Sequence, residues 1–331
     1  MATRDGDLSD RLARRYLAFA ENEAKGRSPL YEEISRAIIE DRWTLEFLGR
    51  LPPIKQQPNL LLAAVRHICG TVSGWPEFQM LLRSHSVEVA AVMMERSTQT
   101  NEPARCATLL PVLAGLPQPI VLLEVGASAG LCLMPDRYGY SYGDHRVAPT
   151  SVGRFSPPVF LCCASDNTPL PETMPVIVWR VGLDLNPVDL NDADQVAWLE
   201  TLVWPEEMDR LAHLRAALAI AKEHRPLVVR GDLRTDLPAL AAQAPKDATL
   251  VVFHSAVLAY LERPDRLRFR ESLRATAATW ISNEAPQIVS DIVEEPPLPH
   301  PSGSFLLTVD GHPKAWTDPH GRSIQWIGGR G

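Results

Sequence analysis

Apolar positions recur every three or four residues through the first third of the chain, and no strand-like alternation interrupts them. Leu8, Leu12, Tyr16 and Phe19 share one helical face, and Ile34, Ile38 and Ile39 form another after the start Tyr31-Glu32-Glu33. Pro52-Pro53 and Pro58 punctuate before the helical period resumes over Asn59–Val65 and again from Phe78 to Met94. A further helix is expected at Asn101, with Asn101 as its N-cap, Pro103 in the first turn and Leu109, Leu110 and Leu113 on its apolar face. Residues 1–117 therefore read as an all-helical domain.

After Gly115 the grammar becomes strand, loop, helix. Ile120–Val125 is the first buried-strand run, and Val176–Val181, Leu227–Arg230, Thr249–Phe253 and Thr279–Ser282 follow it. Helical stretches separate these runs around Ala197–Leu199, from Pro205 to Ala221 and from Ala256 to Ala277. The alternating aromatics of Asp136-Arg137-Tyr138-Gly139-Tyr140-Ser141-Tyr142 predict a hairpin inside an insertion of about 136–174. Phe305–Val309 and Ile324–Ile327, with Asp310-Gly311 and His320-Gly321 turns between them, predict a terminal antiparallel strand pair. The expected fold is α/β, with a Rossmann-like sheet over 118–331.

Composition narrows the function classes. A formal net charge of -7 and a pI of about 5.7 lack the basic surplus of a dedicated nucleic-acid binder, so no nucleic-acid partner is expected. No run approaches the roughly 20 apolar residues needed to span a bilayer. The polar, acidic start from Met1 to Asp10 does not resemble a secretory signal. The five cysteines have no Cys-x-x-Cys spacing, which argues against structural zinc and for a cytoplasmic setting. Adjacent Cys162-Cys163 read as small buried hydrophobes. The 29 prolines fall in connections such as Pro296-Pro297-Leu298-Pro299-His300-Pro301, which suggests stiff loops.

The segment Glu124-Val125-Gly126-Ala127-Ser128-Ala129-Gly130 carries two chemistries. Read as Glu-x-Gly-x-x-x-Gly after a strand, it is a cofactor loop whose glycines allow a tight turn. Read as Gly-x-Ser-x-Gly, it is the nucleophile elbow of a serine hydrolase, with Ser128 the nucleophile and an acid and a His further on. The elbow normally follows several strands, whereas here the loop follows the first, which favours the cofactor loop and makes Ser128 a helix cap. A non-catalytic binding protein on the same fold is the third reading.

The strand endings add to this: Asp184 in Gly182-Leu183-Asp184-Leu185-Asn186-Pro187, then Gly231-Asp232-Leu233, then His254-Ser255. In that order the chain resembles the class I S-adenosylmethionine-dependent methyltransferases over 120–331. The resemblance implies a methyltransferase-type sheet, with Glu124, Gly126, Ala127, Ser128 and Gly130 against the methionine part of the cofactor. It implies Asp184 on the ribose hydroxyls, Asp232 and Leu233 at the adenine edge, and His254 as the catalytic group beside the methyl. A small molecule or a protein would be the acceptor, with Asn101, Arg105 and Tyr138 as candidate substrate contacts. For each there is a plainer reading: His254 a hydrogen-bonded strand-end histidine, Asn101 to Arg105 a capped helix start, Tyr138 a packed ring. Two departures stand out. Asp184 lies 60 positions beyond Glu124, against roughly 20 in such a unit, and Pro135 cuts short the helix expected after the loop.

The whole chain is also similar to an uncharacterised bacterial family, a domain of unknown function. The matching phrases are Gln99-Thr100-Asn101-Glu102 with Arg105, Glu124–Leu131, Asp136-Arg137-Tyr138, Gly182–Pro187, Val203-Trp204-Pro205-Glu206 and Phe253-His254-Ser255. Cys132 stands where that family's loop is expected to carry Asn.

Overall fold

The computed structural model describes residues 2–99, 101–149, 153–296 and 301–327, with side chains from residue 8 onward. Thr100 and the Pro297–His300 part of the proline-rich run lie outside the described residues. The chain divides into two compact units, Met1–Thr100 with Ala193–Leu211, and Asn101–Asp192 with Ala212–Gly331. This departs from the boundary expected at 117, at both ends for a packing reason. The helix Cys106–Gly115 buries every residue from Cys106 to Leu113, so it is apolar all round and sits inside the sheet unit. The later segment Ala193–Leu211 supplies Trp198 and Trp204 to the core of the helical unit.

The helical unit contains α1 (Ala2–Phe19, continued by a π-helical turn Ala20–Ala24), α2 (Pro29–Ile38), α3 (Arg42–Gly49), α4 (Pro58–Cys69), α5 (Trp75–Ser84) and α6 (Ser86–Glu95). Ser28 Oγ accepts from the Tyr31 N–H and Asp41 Oδ2 from the Thr44 N–H, each fixing a helix start. One core joins Leu12, Tyr16, Ile34, Ile38, Phe78 and Met93 with the two tryptophans. The indoles are anchored as well as buried: Trp198 donates to the Ser97 carbonyl and Trp204 to Asn59 Oδ1, both at 3.0 Å.

The sheet unit carries α7 (Cys106–Gly115) and the strands β1 (Ile120–Val125), β2 (Gly139–Tyr142), β3 (His145–Val147), β4 (Val159–Leu161), β5 (Cys163–Ala164), β6 (Ile177–Asp184), β7 (Val228–Arg230), β8 (Thr249–Ser255), β9 (Thr279–Glu284), β10 (Phe305–Val309), β11 (His312–Thr317) and β12 (Ser323–Trp326). Helix α8 (Ala193–Thr201) belongs with the helical unit; α9 (Met208–His224), α10 (Leu237–Ala241), α11 (Arg263–Arg274) and α12 (Pro286–Val289) follow in the chain. The nine-stranded sheet has the order β5-β12-β11-β10-β9-β8-β1-β6-β7. Strands β7, β6, β1, β8 and β9 are parallel, and β1 is buried along its whole length between β6 and β8. The order reverses at β1, which places the topological switch point at its carboxyl end.

Three expectations are corrected here. The terminal strands at 305–309 and 324–326 are not neighbours, because β11 lies between them and pairs antiparallel with both. Its start, His312-Pro313-Lys314, hides a strand; Pro313 is tolerated because it faces Thr308 where the register shifts. After β1, the described residues of the crossover to β6 form two 3₁₀ turns, Leu131–Leu133 and Pro135–Arg137, and a small sheet of order β3-β2-β4. The expected hairpin is there as β2 and β3, but no helix follows the glycine turn, so Ser128 caps none. Cys162 is buried as expected, whereas Cys163 is exposed on the edge strand.

Candidate ligand site at the carboxyl edge of the sheet

Parallel strands deliver their last residues to one edge, and the turn Gly126–Gly130 lies there beyond β1. Gly126 and Gly130 have φ of 72° and 70°, and Ser128 has φ of 50°, so the turn enters the left-handed region three times in five residues. Sequence reasoning gave the glycines to a ligand. The structure shows that the protein occupies their missing side-chain space: a Cβ on Gly126 would overlap Val257, and one on Gly130 would press on Pro226 and Val228 at 3.1 Å.

Every backbone N–H of the turn is committed internally. Gly126 N and Ala127 N donate to the Leu183 carbonyl, and Gly130 N to the Ala127 carbonyl. Ser128 N donates to Asp184 Oδ2 at 2.8 Å, and Ala129 N to Asn101 Oδ1 at 3.1 Å. A phosphate nest needs free N–H groups, and this turn presents none from Gly126 to Gly130.

What the edge presents instead is acceptors. Asp184, at the end of β6, holds one N–H per carboxylate oxygen, Ser128 on Oδ2 and Asn186 on Oδ1, and keeps a second lone pair on each. Glu124, on β1, is 7% exposed and its Oε2 has no hydrogen-bond partner. Burial, then the Cys132 thiol and the Asp184 carboxylate, push the Glu124 carboxyl well above the usual range, against a downward pull from Arg105.

Segment 101–105 is held over this edge by polar contacts. Asn101 grips the turn at two points, donating from Nδ2 to Ser128 Oγ at 3.0 Å while accepting from Ala129. It is not a helix N-cap; Glu102 caps the 3₁₀ turn Pro103–Arg105 by accepting from Ala104 N. Arg105 is buried and donates to the carbonyls of Pro319 and Ser255 at 2.8 and 3.1 Å, tying the segment to β8 and to the turn after β11. His320 from that turn pairs with Glu102 at 3.4 Å. Gly321, with φ of 78°, lies so close to the Ala104–Arg105 peptide that a Cβ would overlap it.

Four expected site residues are assigned differently by the geometry. His254 is fully buried: Trp280 Nε1 donates to its Nε2 at 2.9 Å, and its Nδ1 lies 2.7 Å from Glu284 Oε1. An indole N–H only donates, so Nε2 accepts and Nδ1 carries the proton that Glu284 receives. With both ring nitrogens spent inside the core, His254 has no face for a substrate proton, which corrects its assignment as the catalytic group. Tyr138 is likewise buried and donates to the Leu131 carbonyl at 2.9 Å; Tyr140 and Tyr142 do the same to Pro135 and Ala107. Tyr138 and Tyr140 are hydroxyl braces for the stretch after the glycine turn and Tyr142 ties it to α7, so the hydroxyl of Tyr138 is used inside the core rather than at a substrate. Asp232 is chelated by Arg234, which holds its carboxyl below the usual range, and Leu233 packs against the sheet core. The Ser128 hydroxyl, the nucleophile of the hydrolase reading, accepts from Asn101 Nδ2, and among the described residues no hydrogen bond joins it to a histidine.

Sequence reasoning missed Glu284, whose Oε1 accepts from His254, Val257 N and Leu258 N together. It also missed Asn283, fixed by Thr317 Oγ1 at 2.7 Å. Their signal was the polar pair ending a buried strand, which periodicity alone does not weigh.

The profile of a family described as "Uncharacterized protein conserved in bacteria" (DUF2332) matches residues 13–326, spanning both units and every residue of the edge described above. The chain belongs to this family. No curated protein matches this DUF2332 member. No helix among its described residues is long and apolar enough to cross a membrane, and none of its His, Cys, Asp and Glu side chains group in threes that could hold a metal ion.

Proposed function

We propose that this protein is an S-adenosylmethionine-dependent methyltransferase acting on a small molecule or protein acceptor, with its cofactor at the carboxyl edge of β1 and β6. One observation carries the reading: at the switch point of the sheet, a turn with no free N–H is flanked by two carboxyl groups with spare oxygens, Glu124 and Asp184. That acceptor set suits a ligand rich in hydrogen-bond donors and free of phosphate, such as S-adenosylmethionine, with a ribose diol on its adenosyl part and an ammonium on its methionine part. The spare lone pairs of Asp184 would take the diol, and the orphaned Glu124 oxygen would take the ammonium. When bound, the cofactor supplies an electrophilic methyl group. The chain's part is to hold the ligand and the acceptor in line and to exclude water, because direct displacement depends on alignment. With His254 locked in the core, no side chain is assigned as a base, and the acceptor's proton would pass to solvent.

Calorimetric titration with S-adenosylhomocysteine tests the reading. Saturable one-site binding, weakened at least tenfold by Asp184→Asn, is expected. An absence of heat up to millimolar ligand with the folded wild type overturns it.

A further inference from the structure

We infer that ligand capture at this edge is coupled to the release of one proton from Glu124, so that the site selects cationic donors and binds them more tightly as pH rises. This rests on the cofactor reading above and adds its regulation by pH. Glu124 Oε2 is buried with no partner, at the last turn-facing position but one of the central strand. Its cross-strand partners are Gly182 on β6 and Phe253 on β8, neither of which titrates. The groups that do face it are Asp184 from the end of β6, Cys132 from the stretch after the turn and Arg105 from the segment before α7. Arg105 Nε and Nη1 serve backbone carbonyls, and Arg105 acts on Glu124 through its charge.

A buried carboxylate with an unpaired oxygen is expensive, and a neutral carboxyl is the way to avoid that cost. An ammonium group arriving at Oε2 reverses the balance, since the ion pair favours the charged form. The proton bound to Glu124 then leaves to solvent, the ammonium keeps its own protons, and the net step is exchange of one proton for one cation. A neutral ligand of the same shape gains nothing from this exchange, which gives the site a preference for cations that Asp184 alone does not supply.

The test uses the full chain and S-adenosylhomocysteine. Wild-type affinity should rise with pH, approaching about tenfold per pH unit where free Glu124 is protonated, and there the binding heat should vary with the ionisation heat of the buffer as for one proton released. Glu124→Gln preserves size and should bind more weakly, with affinity independent of pH and heat independent of buffer. A flat wild-type profile, or an unchanged slope in Glu124→Gln, overturns the inference while leaving the cofactor reading intact. Absence of binding at every pH overturns both. A ligand-free measurement stands beside these: the infrared carbonyl band of a protonated buried carboxyl should be present near neutral pH in the wild type and missing in Glu124→Gln. Its absence from the wild type shows an ionised Glu124 and contradicts the proton exchange.

Discussion

Replacing Glu284 should unfold the sheet unit more readily than any change at the ligand edge. Glu284 is 1% exposed, and its Oε1 receives three N–H groups: the His254 ring, Val257 and Leu258 at 2.7, 2.8 and 3.2 Å. Each buried donor left without an acceptor costs about 1–3 kcal/mol. Relaxation and shared loss keep the three from adding fully, so Glu284→Ala is expected to cost about 3–5 kcal/mol. Glu284→Gln retains a carbonyl oxygen at the same place and should cost about 1–2 kcal/mol. Trp280→Phe removes the donor to His254 Nε2 and part of a buried ring, and should cost about 2–3 kcal/mol. Urea unfolding followed by far-ultraviolet circular dichroism measures the series, with the two units allowed separate transitions. The ordering Ala worse than Phe or Gln follows from the bond count. Wild-type stability in Glu284→Ala would refute it. So would a His254→Gln variant of unchanged stability that has lost methyl transfer, because that pattern belongs to a catalytic histidine.

Other changes reach different parts of the structure. Gly321→Ala combines a left-handed φ with a backbone overlap at Ala104 and should lose at least about 2 kcal/mol by thermal unfolding, whereas Gly26→Ala, with open space, carries only the conformational cost of about 1–2 kcal/mol. Asn101→Ala removes both grips on the glycine turn; about 1–2 kcal/mol of stability and a several-fold loss of S-adenosylhomocysteine affinity are expected, and unchanged affinity would show that the turn does not form the site. In the helical unit, burial raises the Glu207 carboxyl but Arg210 and Arg27 outweigh it, bringing it down to about 2. A depressed carboxyl stabilises above its unfolded value and loses that contribution as pH falls toward 2. Glu207→Gln should therefore lower stability near neutral pH by about 1–2 kcal/mol after solvent screening. Its deficit should vanish as the pH falls from about 4.3, the ordinary glutamate value, and a deficit constant with pH would contradict the pairing.

Periodicity made most of the longer helices and the five parallel strands legible, but not α3, nor the break between α5 and α6. What it could not show were elements defined by neighbours. Strand β11 begins with His312-Pro313 and is a strand only because β10 and β12 flank it. Helix α7 looked like the end of the helical domain, yet its all-round burial gives it to the sheet. At the site, the sequence named the turn, Glu124, Asp184 and Asn101 separately as candidates, and the contacts that join Asp184 and Asn101 to the turn lie in the tertiary structure alone. It could not tell a catalytic histidine from a core one. That distinction lies in Trp280 and Glu284, 26 and 30 residues further on, which saturate both nitrogens of His254. The same limit applies to Gly126, whose freedom turned out to admit Val257.

The central claim is that the carboxyl edge of β1 and β6 holds the methyl donor. Ultraviolet crosslinking of methyl-labelled S-adenosylmethionine to the native chain, followed by peptide mapping, addresses it most directly. The label should fall on peptides containing Glu124–Met134 or Asp184–Val188, compete with excess S-adenosylhomocysteine and disappear in Asp184→Ala. Labelling that maps elsewhere, or that is no stronger than in the urea-unfolded chain, would contradict the account.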